Sequence, residues 1–277
     1  MKNVLIVLSF LIVTSIGIYY VKDLKSAPTI TYFPIDYGTS FDSASTSLEL
    51  SSTEKQGYRL TWNVQSKSKT PLYLRQDVSL LFADGELYGM RSKWRENTDT
   101  ITFTESIKAN DNKKWEAISF HYGEIHHDDV INSIQKLSHE IFYVLKKDNH
   151  FIGLSREKSN PLINQKLDTK TKNNILPRWQ KLWSHYNIDI NQYYSIPLTS
   201  LYQFQEKPFP GFNQEDTDRI MGQLWEGIYK NYLIPFIDSK EKLTSYIPLI
   251  LLDKNGEHLY VLYEMNSKMN RLIQKTR

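Results

Sequence analysis

The stretch Val78–Met90, VSLLFADGELYGM, decides how the middle of this chain folds. Asp84-Gly85 stands between two apolar runs, and this dipeptide suits the two positive-φ positions of a two-residue hairpin turn. Upstream, Tyr58, Leu60, Trp62 and Val64 alternate with Arg59, Thr61, Asn63 and Gln65, the period of a half-buried strand. Downstream, TITFTESI and WEAISFHYGEI predict two more strands across the polar turn at residues 110–114. EIFYVLKKDNHFIGLS predicts another hairpin near Asp148-Asn149.

The pattern changes after Arg156. Ile175, Leu176, Trp179, Leu182, Trp183 and Tyr186 repeat at helical spacing, with Pro177 placed in a first turn. A second helix starts after Asn213 as N-cap, with Glu215, Asp216 and Asp218 at its positive end and Pro235 as its stop. YIPLILLDKNGEHLYVLYE then predicts a final hairpin at Asn255-Gly256, followed by a short basic helix from about Ser267. The uneven spacing of the hairpins excludes a repeat. These elements together predict an α+β fold, an antiparallel β-sheet built from hairpins with helices packed on one face.

The N-terminal run VLIVLSFLIVTSIGIYYV, Val4 to Val21, holds 18 uncharged, mostly apolar residues. As a helix it would reach ~27 Å, close to the hydrocarbon thickness of a bilayer. Lys22 and Lys25 close it, and Tyr19 and Tyr20 sit at interfacial positions. A transmembrane anchor over residues 1–22 is expected, with a cleaved signal peptide ending near Ser15-Ile16-Gly17 as the alternative. Residues 23–45, rich in Ser, Thr, Pro and Gly, predict a stalk. A β-rich region over 46–157 and a helical region with the final hairpin over 158–277 are expected to pack as one domain. This organisation predicts a single-pass protein of the bacterial cell membrane with its large domain outside the cytoplasm, secreted if the N-terminus is cleaved.

Composition excludes several functions. With no cysteine in 277 residues there is no disulfide, thiolate metal site, cysteine nucleophile or lipid-modified cysteine. A net charge of +3 is too small to imply a nucleic-acid partner. His139-Glu140 begins like HExxH, but Tyr143 stands where the second histidine belongs, and neither GxSxG nor GxxxxGK occurs.

Three stretches remain as candidate sites. HYGEIHHDD, His121–Asp129, packs three histidines, a glutamate and two aspartates into nine residues. On a strand, His121 and His127 would lie ~20 Å apart, too far to share a metal. Glu124 and His126 would be neighbours on the opposite face and could join Asp128 or Asp129 through a tight turn to hold a divalent metal. Otherwise the segment is a polar strand end. The segment Tyr186–Phe212 carries Tyr193, Tyr194, Tyr202, Phe204 and Phe209 for stacking on a sugar, peptide or protein, or for pinning the loop to the core. RSKWR, with Arg91, Trp94 and Arg95, offers basic arms around a tryptophan for anionic lipids or an acidic envelope polymer.

With no catalytic motif and no cofactor signature, the expectation is a non-catalytic binding or interaction module at the cell envelope. Its partners would be the lipid bilayer, reached through the N-terminal helix, and another envelope protein or polymer. The alternatives are a metal-dependent hydrolase using the His121–Asp129 cluster and a structural subunit of a membrane complex.

Overall fold

The computed structural model describes residues 30–54, 57–238 and 244–277. Residues 41–155 form six antiparallel strands. Strand β1 (Phe41–Glu54) runs into β2 (Gly57–Ala83), which turns at Asp84-Gly85 into β3 (Glu86–Ala109). Strands β4 (Lys113–His127), β5 (Val130–Lys147) and β6 (His150–Ser155) complete an antiparallel sheet in the order β1-β2-β4-β5-β6, with β3 along the other edge of β2.

This sheet folds over itself because β2 changes partners along its length. Residues 57–68 pair with β1 and residues 74–83 with β4, both on the edge that β3 leaves free. The β2–β3 register breaks between Lys67 and Leu72, where Pro71 has no N–H for the ladder. The chain bends there, and β1 swings across the inner face of β4 and β5 to give a near-barrel. At Gly153 of β6 a β-carbon would come within 2.6 Å of the Phe142 ring and 3.0 Å of Leu50, so the closure depends on glycine. The interior is filled near the turn by Leu60, Trp62, Leu81, Trp115 and Ala117.

Helix α1 (Pro161–His185) follows, then strand β7 (Tyr193–Pro197), a 3₁₀ segment (Leu198–Phe204), and α2 (Gln214–Ile228). A π-turn (Tyr229–Leu233) leads into the short α3 (Ile234–Asp238). Strands β8 (Leu249–Asp253), β9 (His258–Met265) and β10 (Lys268–Lys275) join β7 in a second antiparallel sheet, β10-β9-β8-β7. Strand β8 is buried on both faces. Leu249 and Leu251 meet Leu182 of α1, while Ile250 and Leu252 join Trp225 of α2 and Val78, Leu80 and Phe120 on the outer face of the first sheet. One apolar core therefore welds the two sheets together.

The turn at Asp84-Gly85 is the mechanical joint. Its φ values, 50° and 87°, are both left-handed, and a β-carbon on Gly85 would sit 2.3 Å from Ile175 of α1. Asp84 accepts from the Lys114 amide (3.0 Å) and pairs with Lys170 of α1 (2.7 Å), and the Gly85 carbonyl accepts from Ile247 (3.0 Å).

The fold class expected from sequence is corrected by this architecture. The protein is mostly antiparallel β, 55% strand and 26% helix, rather than an α+β sheet with helices on one face. The strands are longer than local pattern suggests, because polar runs such as Ser66–Thr70 bend β2 without ending it. The basic segment after Ser267 is strand β10, held in register along β9 by a turn at Asn266-Ser267 whose φ values are both positive. Pro177 lies inside α1, whose true first turn begins at Pro161 after an Asn160 cap; having no N–H, it gives the Asn173 carbonyl, four positions back, no helical donor. The expected anchor, Val4 to Val21, lies outside the described residues. Among the described residues no helix is long and apolar enough to cross a membrane, which says nothing of β-barrels. Of the expected stalk, Ile30 is wholly buried and Pro34–Asp36 bonds to Ser133 of β5.

Candidate ligand-binding cleft

Strand β4 presents polar groups to both faces. On its inner face, Ser119 and His121 enter a buried seam. His121 Nδ1 lies 3.3 Å from Asp77 Oδ2, and His121 Nε2 lies 2.8 Å from Ser138 Oγ. Ser138 also contacts Thr46 (2.6 Å), Thr46 contacts Ser119 (2.5 Å), and Ser79 donates to Ser119 (2.6 Å). Ser66 donates to Asp77, and Arg75 donates to Ser66 (2.5 Å) and Ser68 (3.0 Å). Burial holds the Arg75 guanidinium below its ordinary range, with Asp77 opposing that shift.

The order Asp77–His121–Ser138 matches a nucleophile triad. The surroundings do not suit one: Asp77 and His121 are fully buried, and the Ser138 hydroxyl is turned onto Thr46 beneath β1. The seam ties β1, both halves of β2, β4 and β5 into one folded sheet.

The rest of HYGEIHHDD lies elsewhere. Glu124 and His126 meet at 3.0 Å, and the His126 ring stacks on Tyr73 with centroids 3.6 Å apart. His127, Asp128 and Asp129 are exposed at the β4–β5 turn, with Asp128 at φ 49°. Among the described residues, the group of three that brings its ligand atoms within 4.8 Å is Asp253, Glu257 and His258, not the Glu124–His126 pair. His258 there contacts the Tyr193 hydroxyl (3.1 Å), and Asp253 accepts from the Glu257 amide (3.2 Å).

The aromatic candidates are dispersed. Tyr193 packs on Tyr260, Tyr194 is exposed beneath Lys254, and Phe209 is core. Phe204 lines a cleft of about 360 Å³ between residues 35–41, β5 and α2. On β3, Arg91 pairs with Glu105 (2.5 Å), Arg95 is exposed and Trp94 is half-buried. Tyr202 stacks on His139 and lines a different, charged cleft.

That charged cleft holds the most unusual chemistry. Lys114 and Glu116 project from the outer face of β4, opposite the seam. Lys114 lies 2.9 Å from Asp168 of α1 and 3.2 Å from Glu116 Oε1, which also accepts from Thr199 at 3.4 Å. Tyr143 donates to Asp168 (3.1 Å), and burial, reinforced by Asp168, pushes its hydroxyl far above the usual tyrosine range. The space between these groups, about 180 Å³, is also lined by Arg156, Thr171, Lys172 and Tyr202. It adjoins an open groove of about 600 Å³ at the start of α1, with Arg156, Asp168 and Lys172 lining both.

Three buried oxygens along this line have no hydrogen-bond partner among the described residues: Glu116 Oε2, Thr171 Oγ1 and Asn164 Oδ1. Such atoms are costly to bury unpaired, about 1–3 kcal/mol each. Arg156 and Lys172 are exposed and form no ion pair with the described residues.

Sequence reasoning did not find this cleft. Its traces are Lys114 and Glu116 alternating with Trp115 and Ala117, and Asn164, Asp168, Thr171 and Lys172 at helical spacing on one face of α1. Each pattern alone describes any solvated face, and only the docking of α1 on β4 joins them. No protein-family model, curated protein or solved structure matches this chain.

Proposed function

We propose that this protein is a non-catalytic binding module of the bacterial cell envelope. Its apolar N-terminus, Val4 to Val21, engages the bilayer and the folded body lies outside the cytoplasm. Its ligand site is the charged cleft between β4 and α1. One observation supports this above the others: Glu116 Oε2, Thr171 Oγ1 and Asn164 Oδ1 are all unpartnered along a single groove. Polar groups held unsatisfied at a cost to stability are characteristic of sites completed by a ligand.

Catalysis has less support. The seam with triad order is sealed, and the Glu124–His126 pair has no third ligand beside it among the described residues. No step of a reaction is assigned.

The test is a stability–function trade. Replacing Thr171 by the near-isosteric valine removes an orphaned hydroxyl, so the free protein should gain about 1 kcal/mol of stability while losing ligand affinity. A loss of stability in Thr171→Val would mean that the hydroxyl is satisfied within the fold, and the cleft would lose its standing as a binding site.

A further inference from the structure

We infer that the charged cleft takes a hydroxylated oxyanion, a polyol or sugar bearing a phosphate or carboxylate group; this rests on the ligand-binding role proposed above. The class follows from what the cleft lacks. Its unpartnered atoms are three oxygens, on a carboxylate, an amide and a hydroxyl. Two of them belong to residues more than nine-tenths buried, Glu116 at 7% exposure and Thr171 at 3%. A carboxylate and an amide oxygen accept hydrogen bonds, so the missing groups are donors.

Charge then decides which donors. The inner cleft is lined by Lys114, Arg156 and Lys172 against Glu116 and Asp168, a local excess of one cation, and Glu157 of the outer groove brings the two spaces together to neutrality. Lys114 is engaged by both acids, at 3.2 and 2.9 Å. Arg156 and Lys172, without an ion pair among the described residues, stand where the inner space meets the outer groove, which Glu157 also lines. An ammonium donor at the inner oxygens would meet Lys114 and this local excess of cations, whereas neutral hydroxyls do not.

Arg156 and Lys172 call for an oxyanion, which arginine binds through paired N–H groups and lysine as a point charge. The start of α1 reinforces them. Ser159, Pro161 and Asn164 line the outer groove at the positive end of a 25-residue helix. The ligand therefore carries its anion at the Arg156–Lys172 junction and its hydroxyls toward Glu116, Thr171 and Asn164. Phosphate and carboxylate share this chemistry, and the experiment separates them.

The full-length protein in mild detergent is titrated at low salt with glycerol 3-phosphate, gluconate, glycerol and inorganic phosphate, with binding read by calorimetry and by the unfolding temperature. Glycerol 3-phosphate or gluconate should bind saturably, and whichever binds tighter identifies the anion. Glycerol and phosphate, each carrying half of the recognition, should bind at least about tenfold more weakly. Arg156→Gln and Lys172→Gln should each weaken the bifunctional ligand about tenfold. Thr171→Val should weaken it as well.

Glycerol bound as tightly as glycerol 3-phosphate, with Arg156→Gln without effect, would overturn the oxyanion while retaining the cleft as a ligand site. No saturable response to any of the four probes would overturn the inference and, if Thr171→Val also failed to stabilise the free protein, the binding role with it.

Discussion

The two faces of strand β4 bury polar groups in opposite ways. On the inner face, Ser119 and His121 belong to a seam in which each member reaches another: Asp77 to His121, His121 to Ser138, Ser138 to Thr46. Atoms left over there are of both kinds, the donor Arg75 Nε and the acceptor Asp77 Oδ1, in a space closed to solvent. On the outer face, Glu116 belongs to a cluster whose leftover atoms are all oxygens and which opens into a groove carrying Arg156 and Lys172. A closed cluster with mixed remainders specifies a fold. An open cluster with one-sided remainders suits the ligand role proposed for it.

The largest effect is expected where the seam is broken. Asp77→Ala removes the buried carboxylate that Ser66 contacts and that offsets the Arg75 charge, and should cost about 3–5 kcal/mol in urea unfolding. A cost below 1 kcal/mol would show that the seam does not hold the near-barrel closed. Ser138→Ala leaves His121 and Thr46 without a shared partner and should cost about 1–3 kcal/mol.

The cleft side of the comparison can be sharpened by pH. His139, next to Ser138 but pointing the other way, stacks on Tyr202 at the cleft wall. Burial, with help from Arg156, holds its imidazole down to about 4 against an ordinary 6.5. Between those values the unfolded chain binds the proton that the native protein refuses. Stability contributed by neutral His139 is therefore present above pH 6.5 and is lost as pH falls from 6.5 toward 4. His139→Gln should flatten the stability profile in that window, and an unchanged slope would mean that the ring is not held neutral. Smallest of all, Arg95→Gln on the exposed face of β3 should change stability by less than about 0.5 kcal/mol, as measured by thermal unfolding.

What could be seen in the sequence was local. Asp84-Gly85 and Asp148-Asn149 turn where their φ preferences allow, and Asn213 caps α2 by accepting from the Asp216 amide. The Asn266-Ser267 turn was missed because no glycine marks it, so β10 looked like a basic helix. The bend of β2 at Pro71 was equally hidden. A proline among polar residues resembles a strand end, and only the change of partner from β1 to β4 shows that the strand continues. The seam and the cleft were invisible for one shared reason: Asp77, His121 and Ser138, like Glu116, Asp168 and Thr171, come from separate elements and meet only once the sheet has folded and α1 has docked. The histidine cluster drew notice through proximity in sequence, yet its alternation along β4 sends His121 inward and Glu124 to the other face.

The two clusters should respond with opposite sign when a hydroxyl is removed. Unfolding free energies of Thr171→Val and Ser138→Ala, measured side by side in urea without added ligand, test this most directly. Opposite changes are expected, with Thr171→Val raising stability by about 1 kcal/mol and Ser138→Ala lowering it. If both substitutions destabilise, the cleft is as self-sufficient as the seam, and its claim to a ligand is contradicted.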